Sequence, residues 1–106
     1  MLKVYPVSIE VCRLVGPIAT QVARHDPDLA RQMRRAATSV VLGIAEGSQS
    51  QGRNRNARYW TAMGSASETK AALEAAEALG YVHEVNPELK SMLERIGRTL
   101  NRVVRG

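Results

Sequence analysis

The side chains in this 106-residue chain that could hold a metal are two histidines, His25 and His83, and the carboxylates beside and between them. His25 sits next to Asp26 and His83 next to Glu84, yet this spacing matches no standard metal motif, so both read as solvated turn histidines. Glu46, Glu68 and Glu74 raise the idea of a carboxylate di-metal bundle. That chemistry needs Glu-x-x-His pairs projecting inward, and the sequence has none. Ser39, Ser65 and Ser67 have no histidine placed to act as their base. Gly52 and Gly64 belong to no phosphate-loop pattern. Cys12 stands alone inside an apolar stripe and reads as a buried, inert thiol. The expectation is a protein with no catalytic residues, no metal and no cofactor.

What remains is charge. Fifteen Lys+Arg against ten Asp+Glu give a formal charge of +5 and a pI near 10.0. Arg53, Arg55, Arg58, Arg98, Arg102 and Arg105 fall in two short stretches and are the candidate nucleic-acid-binding residues. Guanidinium groups bind phosphate well when several act together. Whether these do depends on the elements that carry them.

Those elements are helical. Phe is absent, the aromatics are Trp60, Tyr5, Tyr59 and Tyr81, and the β-branched residues sit inside helical periods, so a sheet is not expected. In QMRRAATSVVLGIAEG (32–47), together with Leu29, the residues Met33, Ala36 or Ala37, Val40 and Ile44 recur in steps of three and four. This marks one dry helix face, with Arg31, Arg34, Arg35 and Thr38 on the others. A first helix starts near Pro6 and buries Val7, Val11, Leu14, Val15, Ile18 and Val22, with a kink at Gly16-Pro17. Asp26-Pro27-Asp28 restarts the chain as a cap, a first-turn proline and an acidic residue, and Asn86-Pro87-Glu88 repeats that logic. A polar loop over 47–52 lies between two glycines suited to left-handed conformations. On the third helix Tyr59, Ala62, Ala66, Thr69, Leu73 and Ala76 form a heptad-like seam that ends at Gly80. The fourth buries Leu89, Met92 or Leu93, Ile96, Leu100 and Val103.

The spacing predicts helices over 6–24, 27–47, 54–79 and 87–104. With such short connections they form an all-α, antiparallel up-down-up-down four-helix bundle in one domain. That topology gathers Lys3, Arg53, Arg55, Arg58, Arg98, Arg102 and Arg105 at one end. Asp26, Asp28, Glu74, Glu77, Glu84 and Glu88 gather at the other, diluted by Arg24 and Lys90. Such an end either serves solubility or binds a phosphate backbone. No groove-reading motif or aromatic stacking platform is apparent among these arginines, so base readout is not expected. Trp60, Leu42 and the alanines at 72, 75 and 78 are left as apolar surface outside the core, which points to an interface and a cyclic homo-oligomer. No apolar run approaches the roughly 20 residues that span a bilayer, and no signal-peptide pattern opens the chain. A soluble cytoplasmic protein is expected.

Four pieces of the sequence carry a resemblance: Gln32-Met33-Arg34-Arg35-Ala36-Ala37, Ile44-Ala45-Glu46-Gly47, Gly64-Ser65 with Glu68, and Leu79-Gly80-Tyr81. In this order, with Val4-Tyr5 before them, they resemble the four-helix-bundle proteins encoded in intervening sequences of bacterial large-subunit ribosomal RNA genes. The same family looks similar to the accessory variability protein of diversity-generating retroelements. Val41-Leu42-Gly43 stands where the family usually has Pro-Ser-Asn, a change that favours a straighter second helix. The resemblance implies a ring-like homo-oligomer, commonly a pentamer. Its retroelement branch implies a basic surface that binds nucleic acid and a reverse transcriptase. It implies no catalytic residues. Glu46 and Glu68 match family motif positions and read as partners of Arg34 or Arg35 in a buried ion pair that fixes helix register. Two functions stay open: an oligomeric adaptor that binds nucleic acid or a nucleic-acid enzyme, and a structural protein-interaction bundle.

Overall fold

A computed structural model describes residues 2–106 as four helices: α1 (Val4–Ala23), α2 (Pro27–Ser48), α3 (Gly52–Ala78) and α4 (Pro87–Arg105). Each packs on its chain neighbours, and α4 closes back on α1. This is the all-α, antiparallel up-down-up-down bundle that the short connections require. α3, at 27 residues, is the longest helix.

Local chemistry accounts for most boundaries. The Asp26 carboxylate accepts from Leu29 N–H at 3.0 Å and the Asn86 side chain from Glu88 N–H at 2.9 Å, each ahead of a proline in the first helical position. α3 ends in a Schellman arrangement. Gly80 adopts φ +77°, its N–H reaches Glu77 O at 3.0 Å, and Tyr81 N–H reaches Ala76 O at 3.0 Å. α1 begins at Val4, earlier than expected, which makes Pro6 its third residue rather than its first. The third N–H of a helix has no intrahelical acceptor either, so proline is tolerated there. The helix then runs through Pro17 as one element.

The loop after α2 is shorter than the sequence suggests. Gly47 and Ser48 are helical and Gly52, at φ +58°, already opens α3. Gly47 is small for packing, not for backbone freedom: a Cβ there would run into the Tyr59 ring. Gly43 has the same role a turn earlier, where a Cβ would lie 2.9 Å from Ala62 Cβ and 3.1 Å from Arg58 O. The α2–α3 seam is therefore a close contact of Gly43 and Gly47 with Ala62 and Tyr59. The Ser65 hydroxyl donating to Ser39 Oγ at 2.8 Å bridges it further. This seam fixes where α3, and every arginine on it, lies relative to α2.

The seam along α3 is buried as its spacing predicts. α1 differs. Its buried stripe is Val4, Ser8, Val11, Val15, Ala19 and Val22, while Val7, Leu14 and Ile18 are only half-buried along its edge. Small residues win the centre because helices approach closely there, and Ser8 satisfies its hydroxyl on Tyr5 O at 2.6 Å. Val103 is likewise half-buried at the end of α4. Ala72, expected on the surface, is in the core, whereas Leu42, Trp60 and Leu79 are exposed. The expected buried ion pair is also corrected. Arg35 meets Glu68 at 3.4 Å, but both side chains are solvent-facing. Arg34 donates to Thr20 Oγ1 at 2.9 Å, and Glu46 makes no ion pair among the described residues. Side chains as long as arginine reach solvent from the flanks of so narrow a contact.

Candidate nucleic-acid interface

Antiparallel packing brings the starts of α1 and α3 to the same pole as the finishes of α2 and α4. Contacts fix this placement: Tyr59 lies against Gly47 and within 3.4 Å of the Ser48 hydroxyl, and the Arg105 guanidinium carbon lies 5.3 Å from the centre of the Trp60 ring. Lys3, Arg53, Arg55, Arg102 and Arg105 are carried to this pole by the ends of α1, α3 and α4. None of the ion pairs among the described residues uses any of these cations. Arg55 is held by its neighbour Asn56, Nη2 to Oδ1 at 3.2 Å, and Arg105 by Asn101, Nε to Oδ1 at 2.7 Å. Both anchors are neutral, so the full positive charge persists.

The helix ends reinforce the difference between the poles. α1 and α3 start here without a side-chain cap and without an acidic residue in the first turn. The first N–H groups of α3 are left for water or an anion, whereas in α1 the Tyr5 N–H already bonds Leu2 O at 3.0 Å and Pro6 has none. At the opposite pole α2 and α4 start with capping side chains and with Asp28 and Glu88 in their first turns. Two of that pole's carboxylates are in ion pairs, Asp28 with Arg31 and Glu77 with Lys90. Glu77 accepts from Lys90 Nζ at 2.6 Å and from Val85 N–H at 2.7 Å, and these two bonds, Lys90 first, hold its carboxyl below the ordinary range. The His25 ring stacks on Tyr81 at 5.2 Å, and His83 is exposed in the 79–86 connection. Among the described residues no three His, Cys, Asp or Glu side chains converge on one point.

Two of the six candidate arginines are set apart from the others. Arg98 lies two turns before Arg105, about 10 Å along α4 at 1.5 Å per residue. It lines a trough of about 340 Å³ between α3 and α4 with Ser67, Lys70, Glu94 and Gly97. Lys70 bonds Glu94 at 2.9 Å, which raises the Lys70 ammonium's proton affinity and lowers that of the Glu94 carboxyl. Arg58 turns the other way, into a groove of about 540 Å³ between α2 and α3. Arg31, Arg34 and Arg35 line that groove too, with Thr38, Ser39, Thr61 and Glu46. The α2 arginines are thus a second cationic surface absent from the expected site. The signal for it was the basic side of α2, which only the packing of α3 turns into a groove. The sequence sets Tyr59 and Trp60 directly after Arg58, but the meeting of Trp60 with Arg105 comes only from the fold.

Similar proteins agree with this architecture. A crystallised protein of unknown function from the S23 ribosomal protein family of Bacteroides thetaiotaomicron superposes with a TM-score of 0.86 at 20% identity, over 97% of this chain and 99% of that one. At that identity the likeness is one of fold. No curated protein matches the chain. The family model for 23S rRNA-intervening sequence protein spans residues 1–102. The chain therefore belongs to the 23S rRNA-intervening sequence protein family.

Proposed function

We propose that this protein is a non-enzymatic helical-bundle adaptor that binds nucleic acid through the phosphate backbone at its basic pole. One observation carries the reading: Lys3, Arg53, Arg55, Arg102 and Arg105 share a pole, and among the described residues none is paired with a carboxylate. The uncapped start of α3 adds N–H donors without an intrahelical acceptor there. Arg58 and Arg98 extend the cationic surface down the two flanks. The family's description, an rRNA-intervening sequence protein, supports a nucleic-acid context. A reverse transcriptase is the enzyme partner such an adaptor would serve.

The test is a salt titration of binding to generic RNA or DNA. Each phosphate contact adds about 0.7–0.9 to the slope of log affinity against log salt, so Arg53→Ala/Arg55→Ala/Arg58→Ala lowers that slope by up to about two to three. The variant stays folded, because exposed charges at helix ends contribute little stability. An unchanged isotherm, or no binding by the parent at low salt, overturns the reading.

Exposed Leu42 and Leu79 favour a second element, self-association into a ring, for which a pentamer is the proposed size. A ring needs two different complementary patches on each subunit. Leu42 on α2 and Leu79 at the far end of α3 are separate patches of this kind. Light scattering at micromolar concentration then gives a mass of several chains; the mass of one chain refutes it.

A further inference from the structure

Trp60 is the single tryptophan of the chain, and it is 48% exposed. An indole left half in water is unusual, since aromatic rings of this size are strong candidates for burial. This one stands at the most cationic region of the molecule. Arg105 covers it at 5.3 Å, and the Asn101 side chain holds that guanidinium at Nε. One turn further along α3 the position facing the same way is Gly64, with open space around it, so no side chain there screens the ring. Two turns from Trp60 begins the α3–α4 trough with Arg98 and Lys70 on its walls.

We infer that Trp60 is a base-stacking residue and that the basic pole takes single-stranded nucleic acid in preference to duplex. The inference rests on the phosphate-binding reading above and adds what the bases do. A flat ring beside fixed guanidinium groups is the arrangement that single strands use: a base lays its π-face on the indole while phosphates on either side meet arginines. Arg105 lies over the ring, Arg98 stands about two turns farther along α4, and Arg53 and Arg55 lie before the ring on α3. In a duplex the base faces are already stacked on one another and cannot reach the indole, so the ring contributes only to single strands. Stacking of this kind tolerates any base, which leaves the site without sequence preference.

The full chain supplies its own probe, because its fluorescence comes chiefly from Trp60. The measurement is a titration with an unstructured oligouridine and with a duplex of equal length, read by Trp60 emission and by anisotropy of the labelled strand. Oligouridine is expected to quench Trp60 while the duplex does not. Trp60→Ala is expected to weaken oligouridine binding by about ten- to a hundredfold, far more than it weakens duplex binding. Trp60→Phe, which keeps an aromatic face, restores most of the loss. Circular dichroism confirms that both variants are folded, as expected for a half-exposed position. Equal affinity of parent and Trp60→Ala for oligouridine overturns the stacking role and leaves the phosphate reading intact. So does binding of both strands without quenching. Failure of the parent to bind either strand at low salt overturns the phosphate reading itself, and this inference with it. A Trp60→Ala variant that changes oligomeric mass identifies the ring as a subunit contact and overturns the inference.

Discussion

Gly43→Ala pits two known effects against each other, and the structure says which one wins. Alanine in a helix interior is better than glycine by about 0.8–1.0 kcal/mol. At position 43 the added methyl would lie 2.9 Å from Ala62 Cβ, 3.1 Å from Arg58 O and 3.3 Å from Ala62 Cα. Carbon atoms are comfortable at about 3.5–4.0 Å, so the shortfall is several tenths of an ångström or more. Two of the opposing atoms are backbone, and no rotamer change can move them. α2 and α3 must separate, against the Ser39–Ser65 hydrogen bond and the Tyr59 ring seated on Gly47. Forced overpacking costs about 1–3 kcal/mol. Set against the gain in helix propensity, the net is a loss of up to about 2 kcal/mol, at about 4–8 °C in Tm per kcal/mol for a domain near this size. The internal control is Gly64→Ala, which meets nothing within 4 Å and is expected to raise Tm through propensity alone. Thermal unfolding followed by circular dichroism reads both. If Gly43→Ala stabilises as much as Gly64→Ala, the close α2–α3 contact described above is wrong.

Ala36→Asp and Ala66→Asp each place a charge where the native residue is 1% and 2% exposed. Each is expected to destabilise by several kcal/mol, on the order of 3 or more, and a denaturant titration that finds either variant as stable as the parent refutes the inner-face assignment. Glu77→Gln tests the α3–α4 connection. Its carboxyl is held below the ordinary value of 4.5, so its contribution is present above that pH and is lost as pH falls through the lowered value. The variant is expected to melt earlier than the parent at neutral pH and to lose less on acidification, as Tm against pH would show; parallel curves for the two proteins refute the role.

The regions of this fold that could be read from sequence are those where local chemistry decides alone. Asp26-Pro27-Asp28 and Asn86-Pro87-Glu88 carry cap, proline and acid within three residues, and helices start there. The α3 seam is legible because alanine and threonine repeat at heptad spacing with nothing competing for the same face. α1 is harder to read, since it offers large aliphatic residues on more than one face. The centre of the bundle took Ser8 and Ala19 and left Leu14 and Ile18 at the edge. Gly47 misleads for a related reason: glycine beside polar residues suggests a turn, and only the position of Tyr59 reveals a packing requirement. The basic pole follows from topology, but the directions of its side chains do not. Arg58 facing α2, and Trp60 meeting a residue 45 positions away, depend on helix rotation, which the apolar period constrains only loosely.

The order in which the helices neighbour one another also bears on how the chain folds. Three of its interfaces join helices adjacent in sequence, and the turns after α1 and α2 are only a few residues long. The fourth, between α1 and α4, is the lightest of these four and links the two ends of the chain. A topology of such low contact order favours rapid folding, with helical hairpins able to form before any long loop must close. The α2–α3 seam suits a nucleus: it is local and extensive. The α1–α4 edge would then be completed late, so weakening it would speed unfolding more than it slowed folding. The bundle's kinetic lifetime is accordingly governed by the seam that closes last.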